Sequence, residues 1–386
     1  MAQDIYQALG TRGVINALGV YTDVGGSRLS DRVWAAMSEA NQQFAPLTDL
    51  LDRTGALIAD WLGTQAARVT GGASPAIVMA VGACMTGASS RRMEQLPDPA
   101  GMPSAVVMQR RHRYKYDRMI RISGARIIEV GNVNGTDADD LAESMTSEVC
   151  AVFLPGHLEG IPGTVPLEEV AQIAHAVGVP VIVDAAYMNY PVELMGSFTT
   201  RGADLAIFSA KYFGGPNTGG VVCGRADMVA SVGLIDFTRF EAGKYLQLGR
   251  AFKLDRQLIV GVTLALREWL DTDHAERFAG YARLVSQIAA PLAGLNGITA
   301  KPMCFTMDER LLPDGEVNCL AIRSTDGGLP LDQVAVNLAD ADPAILVHVQ
   351  DGVLIVDVEC VSEAEAVQIG SALRDALMAM VPVSAR

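Results

Sequence analysis

Between residues 105 and 223 the chain alternates short, continuous apolar runs with stretches whose apolar residues recur at helical spacing. Continuous runs mark strands buried on both faces, and their alternation with amphipathic helices is the pattern of a parallel sheet covered on each side. The runs predict strands over 105–108, 125–130, 149–154, 179–183, 205–208 and 220–223, with a helix over 167–177 among them. Ahead of this region Ser30-Asp31 caps a helix that carries Val33, Trp34 and Met37. A second helix runs from 48 or 49 to 62, with Leu50, Leu51, Ile58 and Leu62 on its apolar positions and Gly63 as its stop. Residues up to about 29 hold glycine, threonine and short apolar pieces such as 13–20, the pattern of an extended arm rather than a helix. The interval 89–104, with Pro97, Pro99 and Pro103, has the composition of a surface loop.

A long helix from about 253 to 270 closes this region. Beyond about 297 the pattern changes to strands over 319–323, 345–349 and 353–358, followed by a helix over 362–378, which predicts a small α+β domain. The expected division is an arm over 1–29, a large domain over 30–275 and a small domain over 276–386, with part of the arm packing on the small domain. No internal repeat interrupts this plan.

Half of the residues are hydrophobic and 19% are charged, the balance of a chain with a sizeable core rather than of a disordered one. The formal net charge of -14 disfavours nucleic acid and anionic membranes as partners. A basic cluster, Arg110, Arg111, His112, Arg113 and Lys115, runs against that balance. No apolar stretch is long enough to span a bilayer and the start of the chain has no basic-then-apolar signal, so a cytoplasmic location is expected. The six cysteines are scattered without a C-x-x-C pair and read as buried thiols, and no metal site is expected.

Two segments carry the chemistry. Val181-Ile182-Val183-Asp184-Ala185-Ala186-Tyr187 and Phe208-Ser209-Ala210-Lys211-Tyr212-Phe213-Gly214-Gly215 each place an ionisable residue just after an apolar strand. Ligands bind beyond the carboxyl ends of strands in such a sheet, so Asp184 and Lys211 are expected to face one crevice. Pyridoxal phosphate needs this pair: a lysine to form the Schiff base and an acid to keep the ring nitrogen protonated. Read one at a time, Asp184 is equally a helix cap and Lys211 a lysine beside a glycine-rich turn. Thr70-Gly71-Gly72-Ala73-Ser74-Pro75, just before a helix over 76–85, supplies backbone N–H groups for a phosphate, and Ser209 adds a hydroxyl. Neither a G-x-G-x-x-G fingerprint nor a P-loop is present.

The chain resembles the fold-type I pyridoxal phosphate enzymes of the group related to bacterial selenocysteine synthase and D-glucosaminate-6-phosphate ammonia-lyase. The resemblance lies in Arg12-Gly13-Val14-Ile15-Asn16-Ala17-Leu18-Gly19, in the segments 70–76, 123–131, 181–187 and 208–220, and in Gly249-Arg250-Ala251-Phe252-Lys253. It implies an α/β fold with a mainly parallel seven-stranded sheet in the large domain and a small C-terminal α+β domain. It implies that Lys211 carries the cofactor, that Asp184 pairs with the pyridine nitrogen, and that Gly72, Ala73, Ser74 and Ser209 surround the phosphate, with Ala186 beside Asp184. His112 is expected against the cofactor face and His157 near its phenolic oxygen; the alternative for His112 is an imidazole in a solvated basic loop, whose arginines either bind an anionic substrate group or solvate a surface. Arg12, Arg250 and His348 are the expected substrate contacts, with His348 standing where relatives carry an arginine. Selenocysteine synthase has an additional N-terminal tRNA-binding region, whereas this chain begins almost directly at the Arg-Gly-Val-Ile-Asn segment. A homodimer or larger homo-oligomer with active sites at subunit interfaces is also implied. The expected reaction on a small-molecule amino substrate is β-elimination with release of ammonia and an oxo acid. Racemisation, aldol cleavage, β-replacement, selenium transfer to charged tRNA and regulation without turnover are the alternatives.

Overall fold

A computed structural model describes residues 5–241, 246–325 and 327–380. The strands, in chain order, are β1 Val14–Ala17, β2 Ala66–Thr70, β3 Ala105–Gln109, β4 Arg126–Val130, β5 Val149–Pro155, β6 Val181–Asp184 and β7 Leu205–Ser209, then β8 Gly220–Gly224, β9 Ile298–Phe305, β10 Leu311–Leu312, β11 Cys319–Ser324, β12 Ala344–Gln350 and β13 Val353–Asp357. They fall into two compact units, Leu29–Asp271 and a second that joins Met1–Arg28 to Thr272–Arg386.

The larger unit is built on a seven-stranded sheet in the order β2-β8-β7-β6-β5-β3-β4. Every neighbouring pair is parallel except the two made by β8, which runs antiparallel to both β2 and β7. Successive residues of a strand point to opposite faces, so the apolar runs feed two separate cores. Val107, Val152, Val183, Phe208 and Val221 fill one, and Val106, Phe153, Ile182, Ile207 and Val222 fill the other. Helix Ala73–Thr86 covers the second face and is buried along most of its length. Helix Leu47–Leu62 ends at Gly63, whose φ of 64° is the left-handed stop that glycine favours.

Two expectations change here. The interval 89–104 contains a helix, Ser90–Gln95, capped by Ser89 and holding Met93 in the core. Its prolines all stand beyond that helix and so leave it intact. The N-terminal segment is not wholly extended, because Ile5–Ala8 is helical.

The smaller unit carries a six-stranded sheet in the order β1-β12-β13-β11-β9-β10. Strand β1 joins it parallel to β12, pairing Val14 with Ala344 through Ala17 with Val347. Helices His274–Ala289, Leu331–Asp340 and Glu363–Met380 contribute Val285, Val334 and Leu373 to its core. No helix among the described residues is long and apolar enough to cross a membrane.

Candidate active site

The register of the larger sheet decides which residues meet. Pro155 of β5 lies beside Asp184 of β6, which lies beside Ile207 of β7. Two residues beyond Ile207, Ser209 pairs with Gly220, and Gly220 pairs with Thr70 at the end of β2. Since β8 is antiparallel to both neighbours, β2 and β7 end on the same side, and the loop after each opens there. Arg110–His112, Gly156–Leu158 and Ala210–Phe213 are short turns that follow β3, β5 and β7 directly. Lys211, Asp184, His112, His157, Ser209, Ala186 and Gly72-Ala73-Ser74 therefore all belong to one end of one sheet.

Lys211 is buried, 8% exposed, in the turn that follows β7. That turn is held by Ala210 N–H on Gly219 O (2.9 Å), by Gly215 N–H on Ala210 O (2.8 Å) and by Gly214 at a φ of 73°. The Asn189 side-chain amide donates to Tyr212 O, while the Trp269 indole donates to Asn189 O at 2.9 Å, so the backbone beside the lysine is fixed from a second loop. The Lys211 ammonium sits 4.6 Å from the centre of the Tyr212 ring. An aromatic series continues from there, with Tyr187 5.8 Å from Tyr212, His157 5.3 Å from Tyr187 and Tyr114 5.4 Å from His157.

Asp184 is 4% exposed. Burial pushes its carboxyl toward the neutral form, and two donors oppose that: the Tyr114 hydroxyl on Oδ2, and Ala186 N–H on Oδ1 at 3.1 Å. His112 has no exposed surface, and neither ring nitrogen makes a hydrogen bond of good geometry, although the Leu158 backbone lies close. Burial lowers its pKa to about 4, a shift the nearby Leu158 backbone offsets only in part. A buried imidazole so poorly satisfied is costly in a finished site and fits a place where a ligand supplies a further contact. The expectation of a solvated imidazole does not describe it.

The phosphate end is a backbone cradle. Gly72 precedes helix Ala73–Thr86 at a φ of 112°, and no side chain caps the helix. Its first-turn N–H groups thus stay available to an anion. A Cβ on Gly220 would come within 2.7 Å of Gly72 C and 2.8 Å of Phe208 O, so the cradle packs directly on the strand beside the lysine. Phosphate on the helix end, the lysine beyond β7 and a buried carboxylate beyond β6 are the donor set that pyridoxal phosphate needs, and the residues present fit it.

The basic cluster is largely committed to the protein itself. Arg113 pairs with Asp117 at 2.5 Å and with Glu129, and Arg111 donates to Pro162 O. Arg250 pairs with Glu241 at 2.8 Å and lies over the Phe240 ring, in the turn whose Phe252 carbonyl stands beside Gly71. Arg12 and His348 belong to the other unit, where Arg12 donates to Ala339 O at 2.5 Å and His348 Nε2 lies 2.7 Å from Leu18 O. Glu159 binds Arg201, and no group of metal-ligating residues is found among the described residues. A cavity of about 630 Å³ runs along the edge strand β2 near Asp52 and Arg68, away from Lys211, and takes no part in this site. Sequence reasoning missed Tyr114 and Asn189. The one available signal for Tyr114 was its place two residues after His112 in a loop that follows a strand.

Fold and site together define a fold-type I enzyme that depends on pyridoxal phosphate. The chain belongs to the SelA family, whose model, described as L-seryl-tRNA selenium transferase, matches residues 113–362. It is 31% identical over 303 residues to a 5'-C-glycyluridine monooxygenase-decarboxylase from a Streptomyces species, covering 77% of this chain and 73% of that one. It is 28% identical over 384 residues to the D-glucosaminate-6-phosphate ammonia lyase of Salmonella typhimurium, covering 97% and 98%. A solved D-glucosaminate-6-phosphate ammonia-lyase structure superposes with a TM-score of 0.84 at 27% identity, over 98% of this chain and all of that one.

Proposed function

We propose that this enzyme is an ammonia-lyase acting on a small polar amino acid or amino sugar acid. The observation that carries the reading is the likeness, over 98% of the chain, to an ammonia-lyase structure, in a chain that presents Lys211 and Asp184 at the ends of adjacent strands. When bound, pyridoxal phosphate supplies an electron-withdrawing ring that stabilises negative charge on the carbon next to the substrate nitrogen. Lys211 is the residue that would carry the cofactor and, once the substrate amine has displaced its nitrogen, would take the proton as the α C–H bond breaks. Asp184 holds a proton on the pyridine nitrogen. Backbone N–H groups of Ala73 and Ser74, with the Ser209 hydroxyl, hold the phosphate. His112 and His157, in the turns after β3 and β5, would hold the ring in place. Loss of the β-substituent with its electron pair, then addition of water, gives an oxo acid and ammonia.

A homodimer is the expected assembly, and Trp34, Phe44 and Leu57 are among the exposed apolar side chains available to it; light scattering gives the subunit number. The unpaired cysteines accord with a cytoplasmic setting.

The Streptomyces relative, at higher identity, favours a second reading: decarboxylation coupled to oxygen. One experiment separates the two. Purified enzyme and Lys211→Ala are given a panel of amino acids and amino sugar acids with and without dioxygen, and ammonia, carbon dioxide and oxygen uptake are followed. Ammonia release that is independent of oxygen and absent from Lys211→Ala supports the lyase. Carbon dioxide release that needs oxygen moves the assignment to the second reading.

A further inference from the structure

We propose that Tyr114 is a positioning residue that keeps the shared proton on the cofactor's pyridine nitrogen by donating its hydroxyl to Asp184; the proposal rests on Asp184 being the partner of that nitrogen. A buried ion pair between a pyridinium N–H and a carboxylate competes with a neutral pair in which the proton has crossed to the acid. Low dielectric favours the neutral pair, and donors on the carboxylate favour the ionic one. Asp184 has two such donors, Ala186 N–H on Oδ1 at 3.1 Å and the Tyr114 hydroxyl on Oδ2. The first comes with the turn after β6 and would be present with any side chain at residue 114. The second depends on one phenol from the loop after β3.

That phenol is held in place independently of Asp184. Tyr114 N–H donates to Asp117 Oδ2 at 3.2 Å, and the same oxygen takes Arg113 Nε at 2.5 Å. Arg113 reaches further, to Glu129 on β4, so the segment is clamped to the neighbouring strand. The ring lies against His157 with centres 5.4 Å apart. Burial and the charge of Asp184 push the Tyr114 hydroxyl well above its ordinary range, so it remains a donor at every working pH. The clamp is partly exposed at Arg113 and Glu129, yet what it fixes is a hydroxyl aimed at the buried Asp184 carboxylate, so it acts on the proton position.

The test uses pyridoxal phosphate labelled with nitrogen-15 in the ring, bound to wild type, Tyr114→Phe, Tyr116→Phe and Asp184→Asn, with the ring-nitrogen chemical shift read by NMR. Cofactor affinity is read by fluorescence titration. Wild type and Tyr116→Phe are expected at the protonated position and Asp184→Asn at the unprotonated one. Tyr114→Phe is expected to move toward Asp184→Asn and to bind the cofactor about tenfold more weakly, the scale of one hydrogen bond to a charged acceptor. Arg113→Gln, which loosens the clamp and leaves the phenol, is expected in between and serves if Tyr114→Phe does not fold. A wild-type shift in Tyr114→Phe, or in Arg113→Gln when that variant stands in, overturns the proposal. An unprotonated nitrogen in wild type overturns the Asp184 assignment itself, and the two failures are told apart by that one spectrum.

Discussion

His112 links burial to acid stability. An unfolded histidine takes a proton near pH 6.5, while the folded one resists until about 4 because its ring is cut off from water. Below 6.5 the unfolded chain therefore binds a proton that the folded chain refuses. The sign follows: this contribution is complete above about 6.5 and falls away as the pH drops toward 4, by about 3 kcal/mol at most. Urea midpoints for wild type and His112→Phe at pH 7.5 and pH 5 are expected to converge or cross, with the variant losing less stability on acidification. Parallel losses would show that the imidazole protonates in place. At this scale the sequence exposes Lys211 and Asp184, because each follows an uninterrupted apolar run and an ionisable group there has few structural uses. Tyr114 is different. Its proposed role lies in a bond across 70 positions to Asp184, and its place two residues after His112 marks the loop but not a contact formed only when β3 and β6 stand two strands apart.

The cradle and the lysine turn are separate in sequence and joined through one glycine. Gly220 sits between Thr70 and Ser209 in the sheet, and the closeness of Gly72 and Phe208 leaves no room for a side chain. Because the contacts are backbone atoms, they cannot rotate aside, so Gly220→Ala must separate β8 from the cradle. The expected result is a protein with a lower unfolding temperature and a cofactor affinity reduced at least tenfold, since the helix end and the lysine no longer share one spacing. Gly214→Ala, with open space around it but a φ of 73°, is expected to cost about 1 kcal/mol and to keep the cofactor. Equal effects from both substitutions would mean that backbone conformation and not the cradle contact governs. Strands β3 and β5 to β8 are legible because each holds a short apolar run bounded by polar or glycine-rich sequence, and β4 is legible from Ile127, Ile128 and Val130 between Gly124 and Gly131. Strand β2 is not, because Ala66-Ala67-Arg68 interrupts the pattern, and Arg68 is nevertheless buried by its pairing with Asp236 and Asp52. The helix Ser90–Gln95 is hidden for the opposite reason: nearby prolines mark a loop, but none lies inside it.

Across the whole molecule, membership in a family described by a tRNA-dependent reaction meets a charge balance that opposes tRNA. Acidic residues outnumber basic ones by 44 to 30, and the local basic cluster does not reverse this, since Arg111 and Arg113 are turned to Pro162, Asp117 and Glu129. What is left exposed in that segment is Arg110, Lys115, Arg118 and Arg121, and binding through so few phosphate contacts is expected to be weak at physiological salt. On the proposed reading the family conveys the catalytic frame, and the acidic surface argues against tRNA as the substrate. A filter-binding titration with serylated tRNA is expected to show no retention at micromolar protein in 0.15 M salt, and only weak binding, lost steeply as salt rises, at low ionic strength. Tight retention with a shallow salt dependence would require a specific tRNA surface, and selenium incorporation from an activated selenium donor would then place this chain with the transferases rather than with the lyases.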